Sequence, residues 1–238
     1  MARVSIPARE RLIFAMDVPD AGAGRALAET LGDAVFFYKV GLELFTSGSG
    51  FDLVDWLAAR GKRVFLDLKF FDVPATVGAA VRNLRGRGVT FTTVHGNQAI
   101  MEAAVAAAGD VGVLAVTVLT CLDRGDLDDL GFACDVDQLV LSRARRALAA
   151  GCAGVVSSGL EAKALRAGVD DRLIVVTPGI RPVENRPADD QKRVVGVEQA
   201  FANGADYIVV GRPIRDAADP RAAAEAIQNT IAGLFPQR

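Results

Sequence analysis

Short β-branched runs alternate with longer alanine-rich stretches from one end of the chain to the other. The runs predict strands near Leu12–Met16, Val35–Val40, Arg63–Leu68, Phe91–Val94, Val111–Thr117, Gly154–Ser157, Leu173–Thr177 and Tyr207–Val210. Helices are predicted between them, near Ala23–Leu31, Gly50–Arg60, Thr76–Arg87, Gln98–Ala108, Asp135–Ala150, Leu160–Ala167 and Val195–Asn203. A last helix is expected near Pro220–Leu234. This alternation predicts an α/β chain whose parallel strands close into a (β/α)8, or TIM, barrel. A doubly wound open sheet is the structural competitor. No linker, low-complexity tract or charge block divides the chain, so residues 1–238 are read as a single domain. Two connections, Cys121–Cys134 and Arg181–Arg193, are longer and more polar than the rest. Loops of that kind are binding loops or lids, or else plain solvated excursions.

Composition narrows the picture. A barrel of this class needs about 250 residues, and 238 residues with 51% hydrophobic content suit one such core. The formal charge of -2 argues neither for nucleic acid nor for an acidic membrane surface, and neither is expected as a partner. No run reaches the roughly 18 apolar residues of a membrane span, and Met1 to Arg11 holds no apolar stretch long enough for a signal peptide. Cys121, Cys134 and Cys152 form no CxxC pair and leave one odd, as expected in a reducing cytoplasm. His95 is the single histidine, which excludes metal sites built from several imidazoles. A carboxylate-bound Mg²⁺ is not excluded by that count.

Position carries more than composition. Nearly every predicted strand ends in something polar or conformationally special: Asp17, Lys39 to Gly41, Asp67 to Lys69, His95 to Asn97, Thr120, Ser157-Ser158, Pro178-Gly179 and Gly211-Arg212. In barrels the carboxyl ends of the strands carry the active site. Asp67 and Lys69, two apart on one strand, are expected to point the same way, with Lys39 and Asp17 at similar height on neighbouring strands. A structural ion-pair network is the alternative to a catalytic cluster. Gly211-Arg212-Pro213 and Pro178-Gly179-Ile180-Arg181 follow strands eight and seven, where barrels usually cradle phosphate. Glycine there permits close backbone approach, and arginine supplies a planar fork of donors.

At this point the residues resemble a known family. Phe65-Leu66-Asp67-Leu68-Lys69-Phe70-Phe71-Asp72-Val73-Pro74-Ala75-Thr76 closely resembles the signature of orotidine 5'-phosphate decarboxylases. Supporting pieces follow in that family's order: Ala15 to Asp17, Tyr38 to Gly41, Val116 to Thr120, Thr177 to Arg181, Asp190-Gln191 and Val209 to Ile214. The resemblance implies decarboxylation of orotidine 5'-phosphate without metal or cofactor. It implies that Lys69 donates the proton, that Asp67 stands beside the substrate carboxylate, and that Lys39 and Asp72 complete an alternating array. Asp17 and Lys39 would hold ribose hydroxyls, and Thr120 would meet the pyrimidine edge. Arg181, Gln191, Gly211 and Arg212 would bind or close over the 5'-phosphate. Asp72 and Thr76 would reach the partner's site in a homodimer. Phe71, Ala75 and Cys121 depart from residues common in the family (histidine, asparagine and serine), and none replaces a residue assigned to chemistry. His95 is read as a residue behind the site or at an interface. Related Mg²⁺-dependent sugar-phosphate lyases share the Asp-x-Lys-x-x-Asp theme, but Lys39 and the Phe70, Pro74 and Thr76 continuation favour the orotidylate enzymes. A nucleotide-binding barrel without turnover is the remaining alternative, disfavoured by the joint presence of Asp67, Lys69 and Asp72.

Overall fold

The computed structural model describes residues 5–181 and 194–236. Eight parallel strands close into a barrel in sequence order: β1 (Leu12–Ala15), β2 (Phe37–Gly41), β3 (Arg63–Phe70), β4 (Val89–His95), β5 (Gly112–Val116), β6 (Gly154–Val156), β7 (Ile174–Thr177) and β8 (Tyr207–Val210). The ring shuts at β1, where Ile13 lies opposite Phe37 on one side and Val209 on the other. An open sheet is thereby excluded. Around the ring run α1 (Ala21–Leu31), α2 (Leu42–Thr46), α3 (Gly50–Ala59), α4 (Pro74–Arg82), α5 (Gln98–Ala108) and α6 (Arg124–Asp129). The outer layer continues with α7 (Val136–Ala149), α8 (Ala162–Gly168), α9 (Val197–Ala202), α10 (Arg212–Arg215) and α11 (Pro220–Leu234).

β1, β5, β6 and β8 read as unbroken apolar runs because both faces of the sheet are covered. Ile13, Phe37, Phe65, Phe91, Leu114, Val176, Tyr207 and Val209 form one buried cluster inside the barrel. Their sequence neighbours Leu12, Phe14, Tyr38, Val64 and Leu66 face outward and join the larger cluster under the helices. Helix starts are set locally. Asp20, Asp123, Asp135 and Asp219 accept backbone N–H groups at the first turns of α1, α6, α7 and α11, each cap contributing about 1 kcal/mol. α4 begins with Pro74, whose ring pre-sets the helical φ. It stops at Arg82 rather than the expected Arg87, short of Gly86 and Gly88, which hold φ of 70° and 73°. Three short helices, α2, α6 and α10, were not anticipated from the sequence.

The amino-terminal floor of the barrel is sealed by aromatic packing. Phe37, Phe91 and Tyr207 bring their ring centroids to within 5.6–5.8 Å of one another. The Arg63 guanidinium lies over Phe37 and Phe91 and pairs with Glu10 at 2.6 Å. Glu10 belongs to a short 3-10 helix, Ala8–Glu10, and Ile6 is buried beside the same rings. A second floor pair joins Arg166 to the buried Asp206, which also accepts the Val175 N–H at 2.9 Å. Among the described residues no helix is long and apolar enough to cross a membrane. The three cysteines are free thiols.

Candidate active site

At the opposite end the strand termini converge on a cavity of about 270 Å³. Ala15, Phe65, Val116, Val156 and Val209 contribute its apolar wall. Asp17, Lys39, Asp67, Lys69, Thr120, Arg181, Gly211 and Arg212 contribute its polar lining. Eight of the residues singled out in the sequence therefore meet in one place. Asp72 and Thr76 do not line it; both are exposed. Gln191, and nearly all of the Arg181–Arg193 connection, lie outside the described residues.

The charges form a continuous row. Lys39 Nζ donates to Asp17 Oδ1 at 3.1 Å and stands 3.8 Å from Asp67 Oδ2. Lys69 Nζ donates to the same Asp67 oxygen at 2.8 Å. The order Asp17, Lys39, Asp67, Lys69 alternates in sign, so the buried Asp67 has a cation on either side and each charge has an opposite neighbour. Burial pushes the Asp67 carboxyl up, but the attraction of Lys39 and Lys69, with hydrogen bonds from Lys69 and Thr93, more than offsets this and holds it below its ordinary value. A Cβ at Gly41 would come within 3.0 Å of Lys39 Nζ, so the glycine clears space for the ammonium. At Gly211 an added Cβ would crowd Ala15 at 3.3 Å and meet Asp17 in ordinary contact at 3.5 Å.

Asp67 and Lys69 meet as expected, but through an irregular β3. Plain strand alternation does not produce this contact. β3 is irregular here: Leu66 pairs with Thr92 and Phe70 with Val94, so three residues of β3 face a single residue of β4. Lys69 adopts φ 49°, the one described non-glycine residue in the left-handed region. That conformation costs a side-chain-bearing residue about 1–2 kcal/mol. It is compensated locally, because the Lys69 N–H donates to Thr93 Oγ1 at 2.9 Å and Thr93 Oγ1 donates to Asp67 Oδ1 at 2.8 Å. The sequence reading passed over Thr93. Its phase with the inward-facing Phe91, one step below the rim, was the available signal.

Beyond Lys69 the chain turns outward. Phe71 and Val73 are 65% and 63% exposed, and the Asp72 carboxylate accepts the Val73 N–H at 2.6 Å. Phe71 rests against His95 with ring centroids 4.8 Å apart. Burial, then the nearby cations Arg143 and Lys69, hold the His95 imidazole below its ordinary value. At the other side of the cavity β8 runs through Gly211 into α10, which starts with Arg212. Arg215, another residue unremarked in the sequence, reaches back to donate to the Asp17 carbonyl at 2.7 Å. Arg181 stands where β7 leaves the barrel; its N–H donates to Val195 O at 3.1 Å. Among the described residues no group of three or more His, Cys, Asp or Glu side chains is placed to hold a metal ion.

The chain as a whole is similar to known proteins. A family model described as orotidine 5'-phosphate decarboxylase / HUMPS family matches residues 10–227. The chain belongs to that family. Within the orotidine 5'-phosphate decarboxylase / HUMPS family, it is 69% identical to the orotidine 5'-phosphate decarboxylase of Methylococcus capsulatus, over 97% of this chain and 95% of that protein. It is 51% identical to the enzyme of the same name from Stenotrophomonas maltophilia, with both chains covered in full. Its barrel superimposes on the crystal structure of orotidine 5'-phosphate decarboxylase from Lactobacillus acidophilus with a TM-score of 0.82 at 35% identity, covering 93% of this chain and 99% of that one.

Proposed function

We propose that this chain converts orotidine 5'-phosphate to uridine 5'-phosphate and CO2 without metal or cofactor, Lys69 supplying the proton. One observation carries the reading: the row Asp17, Lys39, Asp67, Lys69 lies in the same cavity as Arg181, Gly211 and Arg212. The arginines and the Gly211 turn suit a phosphate, and the charge row suits the ribose and the reacting carbon. Asp17 and Lys39 hold ribose hydroxyls, Thr120 meets the pyrimidine edge, and Gln191 joins Arg181 and Arg212 in closing over the phosphate.

In the reaction the bond from C6 to the carboxylate breaks, CO2 leaves, and the electron pair stays on C6. No carbonyl is positioned to accept that pair, so preorganised charge must stabilise it. The Lys69 ammonium offers a positive charge beside C6 and then gives its proton to that carbon. Asp67 near the substrate carboxylate is a like-charge contact of roughly 4 kcal/mol at about 4 Å and an effective dielectric near 20. Its relief assists departure of CO2 but is a fraction of the roughly 8–23 kcal/mol an enzyme commonly supplies. Carbanion stabilisation and remote phosphate binding energy account for the remainder.

Asp72 completes the array from the partner in a homodimer, with Thr76 beside it. The exposure of both residues, next to exposed Phe71 and Val73, supports this. The product serves pyrimidine biosynthesis, in a cytoplasmic setting supported by the three free thiols. A formal charge of -2 gives no support to nucleic-acid or membrane partners.

The test is the ultraviolet absorbance change of orotidine 5'-phosphate with the purified protein in EDTA. Rapid formation of uridine 5'-phosphate, unchanged by the chelator, is expected. Absence of conversion, with Mg²⁺ restoring activity on a sugar phosphate, overturns the proposal. In the same assay Arg212→Ala should raise KM by about 10- to 100-fold, the range set by losing a charge-assisted hydrogen bond, and lower kcat by less.

A further inference from the structure

Thr93 is fully buried on β4 and is the single β4 residue facing the three-residue excursion Asp67-Leu68-Lys69. Its hydroxyl makes two bonds whose directions are forced. The Lys69 N–H can only donate, so Oγ1 accepts there at 2.9 Å. The Asp67 carboxylate accepts, so the hydroxyl proton goes to Oδ1 at 2.8 Å. One side chain thus fixes the left-handed backbone of Lys69 and the rotation of the Asp67 carboxylate together. That leaves Oδ2 turned toward Lys69 Nζ and Lys39 Nζ. The β-branched side chain is restricted at χ1, which holds the hydroxyl in place. On the outer face Thr92 completes the clamp, its Oγ1 donating to the Leu66 carbonyl at 3.0 Å where the regular ladder breaks off.

We infer that Thr93 is a positioning residue for the reaction, holding the Lys69 ammonium and the Asp67 carboxylate in their working geometry without touching substrate. This rests on the roles proposed above for Lys69 and Asp67. A purely structural threonine would change stability when replaced and leave catalysis in the folded protein alone. A positioning threonine changes the rate of the chemical step.

The experiment compares wild type, Thr93→Val and Thr93→Ser for kcat, KM, the pH dependence of kcat, affinity for uridine 5'-phosphate, and Tm. Thr93→Val should lower kcat by about 10- to 100-fold, the range for a hydrogen bond to a charged group, with KM and product affinity within about 3-fold. The acid limb of its kcat profile should move to higher pH, because Asp67 has lost a donor that favours its ionised form. Thr93→Ser, which keeps the hydroxyl, should stay within about 3-fold of wild type. Native kcat in folded Thr93→Val, a loss confined to KM, or failure of Thr93→Ser to restore the rate overturns the inference. Should Thr93→Val not fold, Thr93→Ala removes the hydroxyl without setting a methyl against the carboxylate. A crystal structure of the variant gives a readout independent of turnover: Lys69 should leave positive φ and its Nζ should move beyond the roughly 4 Å of an ion pair from Asp67. Unchanged Lys69 geometry overturns the inference even if wild type proves inactive on orotidine 5'-phosphate, an outcome that would overturn the proposed function separately.

Discussion

The two ends of the barrel use the same eight strands for different purposes. At the floor, Arg63 meets Glu10 over a set of close-packed rings, and Arg166 meets Asp206. Each cation there has one carboxylate, and neighbouring groups take further oxygens and donors, as with Val175 N–H on Asp206 and Thr90 Oγ1 accepting from Arg63 Nε. At the mouth, Asp67 is shared between two lysines, the backbone of Lys69 is held in an unfavourable region, and a cavity stays open beside them. The two floor ion pairs are closed within the fold. Those at the mouth are arranged around space for something else. The difference shows how a barrel confines its strain to one rim while the other keeps the ring closed.

Substitutions at the two rims should therefore fail in different ways. The largest effect is expected from Lys69→Ala, which should lower kcat at least about 10³-fold while shifting Tm by only a few degrees. Steady-state assay and thermal unfolding of one preparation check both halves. Near-native turnover would remove Lys69 from the mechanism. Phe91→Ala should do the reverse, costing about 3–5 kcal/mol through the cavity it leaves in the floor. At roughly 2–4 °C per kcal/mol for a chain of this size, Tm should fall by about 6–20 °C. Its kcat at a temperature where it remains folded should stay within about 3-fold of wild type. A collapse of kcat there would show that the two rims are coupled. The smallest effect concerns His95. Its folded-state value lies below the ordinary 6.5, so the unfolded chain binds more protons as pH falls through 6.5, and stability declines toward acid. Replacing His95 with glutamine should flatten that acid-side decline, measured as Tm between about pH 5 and 7, without altering kcat at neutral pH.

The fold was legible because strand and helix alternate with few exceptions, and the polar strand ends announced which rim carries chemistry. Asp17, Lys39, Asp67, Lys69, Thr120, Arg181, Gly211 and Arg212 could all be named from order and spacing, with their roles supplied by the family resemblance. What stayed hidden depends on register and on contacts between distant positions. Thr93 becomes informative only once β4 is set against the irregular stretch of β3. Arg215 matters through a bond to a carbonyl 198 positions away. The helices α2, α6 and α10 span four to six residues, too few for a period of 3.6 to appear. Asp72 and Thr76 entered through the resemblance alone, since nothing in one copy of the chain draws them to the cavity.

Closure of the ring also bears on how the molecule is made. β1 needs β8 as its second neighbour, and Arg11 on one side of that seam donates to the Asp206 carbonyl across 195 positions of sequence. At about 5–20 residues per second of synthesis, the first strand exists for roughly 10–40 s before its partner does. Throughout that interval one edge of the growing sheet is unpaired and open to pairing with other chains. A ring with its seam between first and last strands thus ties completion of the barrel to synthesis of its eighth strand, and the seam is among its longest contacts in sequence.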